Sequence, residues 1–302
     1  VDMQTQPIDF HPPAEEAAPY FLPVTANLFA ERAERFSALA VGHSLADWLN
    51  FLGQLSRAQH EVLKALPELT LPDAKVLDQA RTHGMPPLDR GTPPPAWRNA
   101  LRQLAHRLDN EVPEAAQATL ATLLAATDEQ LDQLADTLLT GEPSTDQAAQ
   151  LPFVGAALQI TYTQLASRLD TNYLQKLDAH GVCPCCGSLP VASVVRLGAA
   201  INNLRYLHCS LCNTEWNVPR VTCTACDTDK GVALQELEGS KSAVRAETCD
   251  ACKSYLKIVY QEKDPRVDPV ADDLATLALD MLVDEAGYAR SGPNLLLIGA
   301  SA

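Results

Sequence analysis

Four Cys-x-x-Cys pairs, Cys183/Cys186, Cys209/Cys212, Cys223/Cys226 and Cys249/Cys252, crowd into one stretch of a 302-residue chain. Two intervening residues let a tight turn aim both sulfurs at one ion, and a second such turn supplies the other half of a tetrahedron. Cys183 to Cys209 is a step of 26 positions and Cys223 to Cys249 is another 26, so CxxC-x22-CxxC occurs twice, displaced by 40. The repeat points to two metal sites, one from Cys183, Cys186, Cys209 and Cys212 and one from Cys223, Cys226, Cys249 and Cys252. Thiolate sulfur suits zinc, and equally iron in a tetrahedral four-sulfur site, whereas calcium and magnesium want oxygen. Spacing alone does not choose between zinc and iron.

The elements that must hold these pairs are hairpins. Val191 to Arg196 and Leu204 to His208 read as strands in the first copy, and Val232 to Leu237 and Ala243 to Thr248 in the second, where they flank Glu238-Gly239-Ser240-Lys241. Extended runs follow each closing pair, Thr214 to Val218 and Ser254 to Tyr260, so each copy is expected to be a three-stranded zinc-ribbon or rubredoxin-like module. Modules this small bury little apolar surface, and metal must hold them. Among the four turns only Cys183-Pro184-Cys185-Cys186-Gly187 carries a trailing glycine, the residue that most readily lets a tight turn present N–H groups to sulfur.

Other polar residues near the pairs read more plainly. Cys185, the ninth cysteine, fills the variable position of a turn as a small apolar residue, with a reactive thiol as the alternative. His208 precedes Cys209, yet four sulfurs already satisfy an ion. Arg205 and Arg245 each stand four residues before a cysteine pair, where a cation would stabilise a thiolate cluster or simply be solvated. No Ser-His-Asp order, phosphate loop or dinucleotide glycine fingerprint is present, and a fully ligated four-sulfur site leaves no open position for substrate. The sequence therefore shows no catalytic residues.

Charge separates the chain into regions. Residues 1–180 hold 12 basic and 23 acidic side chains, residues 181–263 hold 9 and 8, and residues 264–302 hold 2 and 7. Two filled divalent four-thiolate sites would take the net charge from −15 to about −19. Such a field repels polyphosphate and counts against nucleic acid as a partner. With no apolar run long enough to span a bilayer and no basic-then-apolar start, the expectation is a cytoplasmic protein, where reduced thiols stay available for metal.

Upstream, apolar residues recur at helical spacing. One helix is expected over about Ala26 to Ala40 and another from Ser44, as its cap, to Leu66 before Pro67. The proline-rich segment 67–95 should be irregular, and helices resume at Ala96. Thr127-x-x-Gln130 is a capping box, Gly141 closes the helix it opens, and Phe153 to Ala179 forms the last helical stretch. Beyond the cysteines, Asp268-Pro269 opens a helix to about Ala286 with Asp272 and Asp273 on a solvated acidic face, and Asn294 to Ile298 reads as a tucked strand. The fold class is α+β: a helical domain over 1–180, modules over 181–220 and 221–263, and a C-terminal helix and tail over 264–302.

The runs CysProCysCysGlySer, ArgTyrLeuHisCysSerLeuCysAsnThrGluTrp, CysThrAlaCys, CysAspAlaCysLysSerTyrLeuLys and AspProValAlaAspAspLeuAlaThrLeuAlaLeuAspMet give the chain more than a ribbon signature. Over about residues 181 to 298 it resembles the formate dehydrogenase accessory protein family, FdhE. The resemblance implies a cytoplasmic, non-catalytic protein needed for active respiratory formate dehydrogenase. Such a protein contacts the enzyme's catalytic subunit before export. It also implies iron held in rubredoxin-like fashion by the eight paired cysteines, with Cys185 standing where another residue type is expected. Two other roles fit the residues themselves: a rubredoxin-like iron redox protein acting on a client, and a nucleic-acid-binding ribbon, which the acidic balance disfavours.

Overall fold

A computed structural model describes residues 17–108, 112–140, 147–197, 204–237 and 242–297. After a short strand, β1 (Tyr20–Phe21), seven helices follow: α1 (Leu28–Ala40), α2 (Ala46–Ala65), α3 (Ala74–Thr82), α4 (Ala96–Leu108), α5 (Glu114–Ala125), α6 (Asp128–Thr140) and α7 (Leu151–Ser167). The apolar stripes explain their packing. Phe29 and Phe36 of α1, Leu49, Leu52 and Leu55 of α2, and Trp97, Leu101 and Leu104 of α4 are all buried. Helix α1 packs on α2, and α2, α4 and α6 close around α7, almost every residue of which is buried.

Three local expectations change. Helix α2 begins at Ala46, because His43 rather than Ser44 satisfies the entry: its Nδ1 accepts from Leu45 N–H at 3.0 Å and its carbonyl from Ala46 N–H at 3.1 Å. The proline-rich segment contains a helix, α3, with no proline between Asp73 and Thr82 to interrupt it. The last helical stretch stops at Ser167, where a short turn over Thr171–Tyr173, started by the Asp170 side chain, takes over. The Thr127/Gln130 box forms reciprocally, at 2.9 and 3.3 Å. Gly141, the turn Glu238-Gly239-Ser240-Lys241 and Ile298 lie outside the described residues.

The cysteine region supplies β2 (Pro190–Arg196), β3 (Leu204–Cys209), β4 (Glu215–Val218), β5 (Val232–Gln235), β6 (Val244–Cys249) and β7 (Ser254–Tyr260), and β8 (Ala289–Arg290) follows near the end. Each copy makes the antiparallel three-strand meander its sequence pattern implies. The two meanders do not stand apart. Strand β2 pairs in parallel with β7 (Ser193 opposite Ile258, Val195 opposite Tyr260), giving one eight-stranded sheet ordered β1-β4-β3-β2-β7-β6-β5, with β8 beside β7.

The C-terminal helix is broken into α8 (Pro269–Leu274) and α9 (Leu277–Glu285). Asp268 caps α8 by accepting from Val270 and Ala271 N–H. The break lies where buried Lys257 of β7 donates to the carbonyls of Asp273 (2.7 Å) and Thr276 (3.1 Å). The acidic pair is not solvated: Asp272 and Asp273 are 3% and 0% exposed. Arg35 donates to both oxygens of Asp272, and Asp273 meets Lys257, Arg290 and Asn294. The tail is tucked as irregular chain, with Leu295 and Leu296 buried.

Candidate metal centres

All eight paired sulfurs gather as the spacing predicts, into two quartets. Cys183, Cys186, Cys209 and Cys212 form one and Cys223, Cys226, Cys249 and Cys252 the other, each with its ligand atoms within 4.8 Å of one another. The facing contacts are 3.7 Å for Cys183–Cys212 and 3.4 Å for Cys186–Cys209. In the second quartet they are 3.6 Å for Cys223–Cys252 and 3.8 Å for Cys226–Cys249. A tetrahedron with metal–sulfur bonds of about 2.3 Å has edges of about 3.8 Å, so both quartets fit an ion of that kind. A disulfide would need about 2.05 Å.

The turns that aim the sulfurs share one backbone plan. The residue after each second cysteine is left-handed: Gly187 (φ 75°), Asn213 (φ 59°), Asp227 (φ 58°) and Lys253 (φ 55°). Its N–H reaches back to the carbonyl of the first cysteine in three of the turns, at 2.9 Å from Gly187, 3.0 Å from Asp227 and 2.9 Å from Lys253. The trailing glycine of the first turn is therefore one of four solutions. Asn and Asp tolerate this conformation, and Lys253 adopts it at a strain of about 1–2 kcal/mol.

A second shared feature escaped the sequence reading. Each turn continues with a hydroxyl residue, Ser188, Thr214, Thr228 or Ser254, two positions after its second cysteine. The carbonyls of Ser188, Thr214 and Thr228 accept from the N–H groups of Cys183, Cys209 and Cys223. Thr214 Oγ1 lies 3.2 Å from Cys212 Sγ, and Ser254 Oγ 3.0 Å from Cys252 Sγ. Backbone N–H groups also point at sulfur, from Leu211 and Cys212 to Cys209 and from Ala225 to Cys223, each at 3.4 Å. The fourfold Cys-x-x-Cys-x-[Ser/Thr] pattern was the available signal.

Four sulfurs this close and this dry cannot all ionise unaided. Burial pushes the Cys183 and Cys209 thiols well up. Burial also opposes ionisation of Cys212, but hydrogen bonds from Cys183, Cys185 and the other sulfurs bring it well below the ordinary thiol range. A cation at the centre removes this conflict by compensating all four thiolates.

The surroundings of the quartets differ. The first lies inside the main hydrophobic core, and its second turn is tied to the helices. Arg32 donates to Asn213 Oδ1 at 2.9 Å, Asn213 Nδ2 to Thr163 Oγ1 at 2.8 Å, and Gln159 to the Ser210 carbonyl at 2.8 Å. Cys185 is fully buried outside the quartet, and its carbonyl accepts from Leu88 N–H at 3.0 Å. His208 is turned away from the sulfurs, between Glu215 Oε1 and Asn213 Oδ1 at 3.1 Å each.

Arg205 and Arg245 part company. Buried Arg205 binds Ser193, the Thr222 carbonyl and, at 2.7 Å, Glu247, so it crosses from one cysteine copy to the other. Arg245 lies nearer the surface beside Glu236 and over the Tyr260 ring.

A helical domain docked on a continuous sheet that carries two sulfur quartets defines a class: helix-plus-ribbon proteins able to hold two tetrahedral thiophilic ions. Within it, the chain belongs to the FdhE family. Residues 17–179 match the family's N-terminal region, 182–220 its central domain and 221–297 its C-terminal domain. The "Protein FdhE homolog" of Serratia proteamaculans is 40% identical over 291 residues, covering 95% of this chain and 94% of that relative. The homologue of Edwardsiella ictaluri is 42% identical over 283 residues, covering 93% and 91%. The crystal structure of the FdhE protein from Pseudomonas aeruginosa is similar with a TM-score of 0.84 at 38% identity, covering 93% of this chain and 99% of that one. Among the described residues no helix is long and apolar enough to cross a membrane.

Proposed function

We propose that the eight paired cysteines ligate two metal ions in rubredoxin-like sites and that the chain is an accessory protein for respiratory formate dehydrogenase, binding that enzyme's catalytic subunit in the cytoplasm. The observation that carries this reading is the pair of sulfur quartets at tetrahedral spacing in a member of the FdhE family. Filled by four thiolates, each ion has no open position for substrate, which supports a binding role over a catalytic one. Iron is the favoured ion by resemblance, and zinc satisfies the same donors. Ions in both quartets would lock the sheet into a rigid surface for the client subunit. Co-purification of the catalytic subunit with variants carrying Cys→Ser changes at each pair tests this. Loss of client with loss of metal is expected, and unchanged capture after both sites are emptied would remove the proposal.

A second reading, an iron redox protein acting on the client, is favoured by the exposure of Cys226 and Cys252. It requires a red protein that bleaches with dithionite. A colourless protein holding only zinc after anaerobic isolation sinks it.

A further inference from the structure

We infer that the two centres are unequal: the first quartet is a permanent strut, and the second is an exchange site whose thiophilic divalent ion is reached from solvent through Cys226 and Cys252. The inference rests on the reading that the cysteines ligate metal. Its basis is what covers each quartet.

Cys183, Cys186, Cys209 and Cys212 are 0%, 1%, 0% and 0% exposed. The first turn is held by Leu88 through the Cys185 carbonyl, and the second by Arg32, Gln159 and Thr163 from α1 and α7. No donor from solution reaches those sulfurs unless the helical domain separates from the sheet. An ion lodged there leaves at the rate of that opening.

The second quartet uses the same turns but lacks the cover. Cys223 and Cys249 are buried, Cys249 at the end of β6, while Cys226 and Cys252 are exposed at the turn tips. Ala225, Asp227, Ala251 and Lys253 around them are exposed as well. The smaller core cluster beneath this copy contains none of its four cysteines. An incoming donor can therefore displace the Cys226 or Cys252 sulfur without moving any packed element. The exchange involves no electron transfer: the ion passes to the new donor, and the four vacated thiolates take protons from water.

The test uses the full chain loaded anaerobically with zinc, its content first measured by elemental analysis. A chromophoric chelator, 4-(2-pyridylazo)resorcinol, then follows release, while iodoacetamide labelling mapped by mass spectrometry follows the thiols. One ion per chain should leave at least about tenfold faster than the other, with label appearing first on Cys226 and Cys252. Cys226→Ser combined with Cys252→Ser should abolish the fast phase and keep the slow ion and the helical circular dichroism signal. Two ions leaving together, or early label on Cys183 to Cys212, overturns the inequality while the metal reading stands. Loaded protein that holds no thiol-bound ion overturns both.

Discussion

Arg205 and Glu247, both buried and 2.7 Å apart, form an ion pair between β3 of the first cysteine copy and β6 of the second. The same guanidinium holds the Thr222 carbonyl, one residue before Cys223, so a single side chain of the first copy fixes the start of the second. Arg205→Met leaves the Glu247 carboxylate buried and uncompensated and should lower stability by about 3–5 kcal/mol in urea titrations. Arg205→Met with Glu247→Leu should recover most of that loss. A double variant as unstable as the single one would show that packing, not charge, sets the effect.

Lys253 tests the left-handed turn plan. Its ion pair with Asp250 is exposed and contributes little, so Lys253→Gly should leave the melting curve at or above that of the parent. Lys253→Val puts a β-branched residue at φ 55°, where it fits worse than an unbranched side chain, and should lower the melting temperature below that of both the parent and Lys253→Gly. It should also weaken zinc retention at the second quartet, and equal retention in the two variants would sink the backbone account.

Asp273 gives the fold an acid limb. Burial alone would raise its pKa, but Arg290 and Lys257 outweigh that and hold it below the usual carboxylate range. Its folded pKa is thus below the unfolded value of about 3.9. The stabilisation is complete above about pH 4 and is lost as pH falls through the folded pKa. Asp273→Asn should therefore cost about 3–5 kcal/mol at pH 7, a gap that narrows below about pH 4. Taking the difference between the two proteins at each pH cancels any loss of metal common to both. A gap independent of pH would contradict the assignment.

Gly155 of α7 admits the tail. A Cβ there would stand 2.5 Å from the Leu295 carbonyl oxygen, which belongs to main chain and cannot swing aside. Gly155→Ala should lower stability by about 1–3 kcal/mol and expose the C-terminal segment to limited proteolysis. A protected tail with an unchanged melting curve would mean the contact is slack.

The quartets could be read from the chain because a CxxC turn is local and a repeated 26-residue step leaves each turn one partner. The helical stripes of α1, α2 and α4 were legible for a similar reason, since each buried face follows one period. Asp272 and Asp273 were misjudged because their partners, Arg35, Lys257 and Arg290, come from α1, β7 and β8, which no local pattern connects. The turns at Asn213, Asp227 and Lys253 were underrated because side chains other than glycine enter the left-handed region at a modest strain. The union of the modules depends on β2 meeting β7, a long-range pairing that leaves no periodic trace in either strand.

That same parallel union sets an order of assembly on the ribosome. Once Thr214 has emerged, every residue needed for the first quartet is available, yet the free edge of β2 stays bare until Ser254–Tyr260 has been synthesised. For that interval a nascent strand rich in valine offers an unpaired backbone, the kind of surface on which chains aggregate. The order in which the chain is made therefore leaves this half-built sheet in need of shelter, and the last strand of the second copy is what ends the exposure.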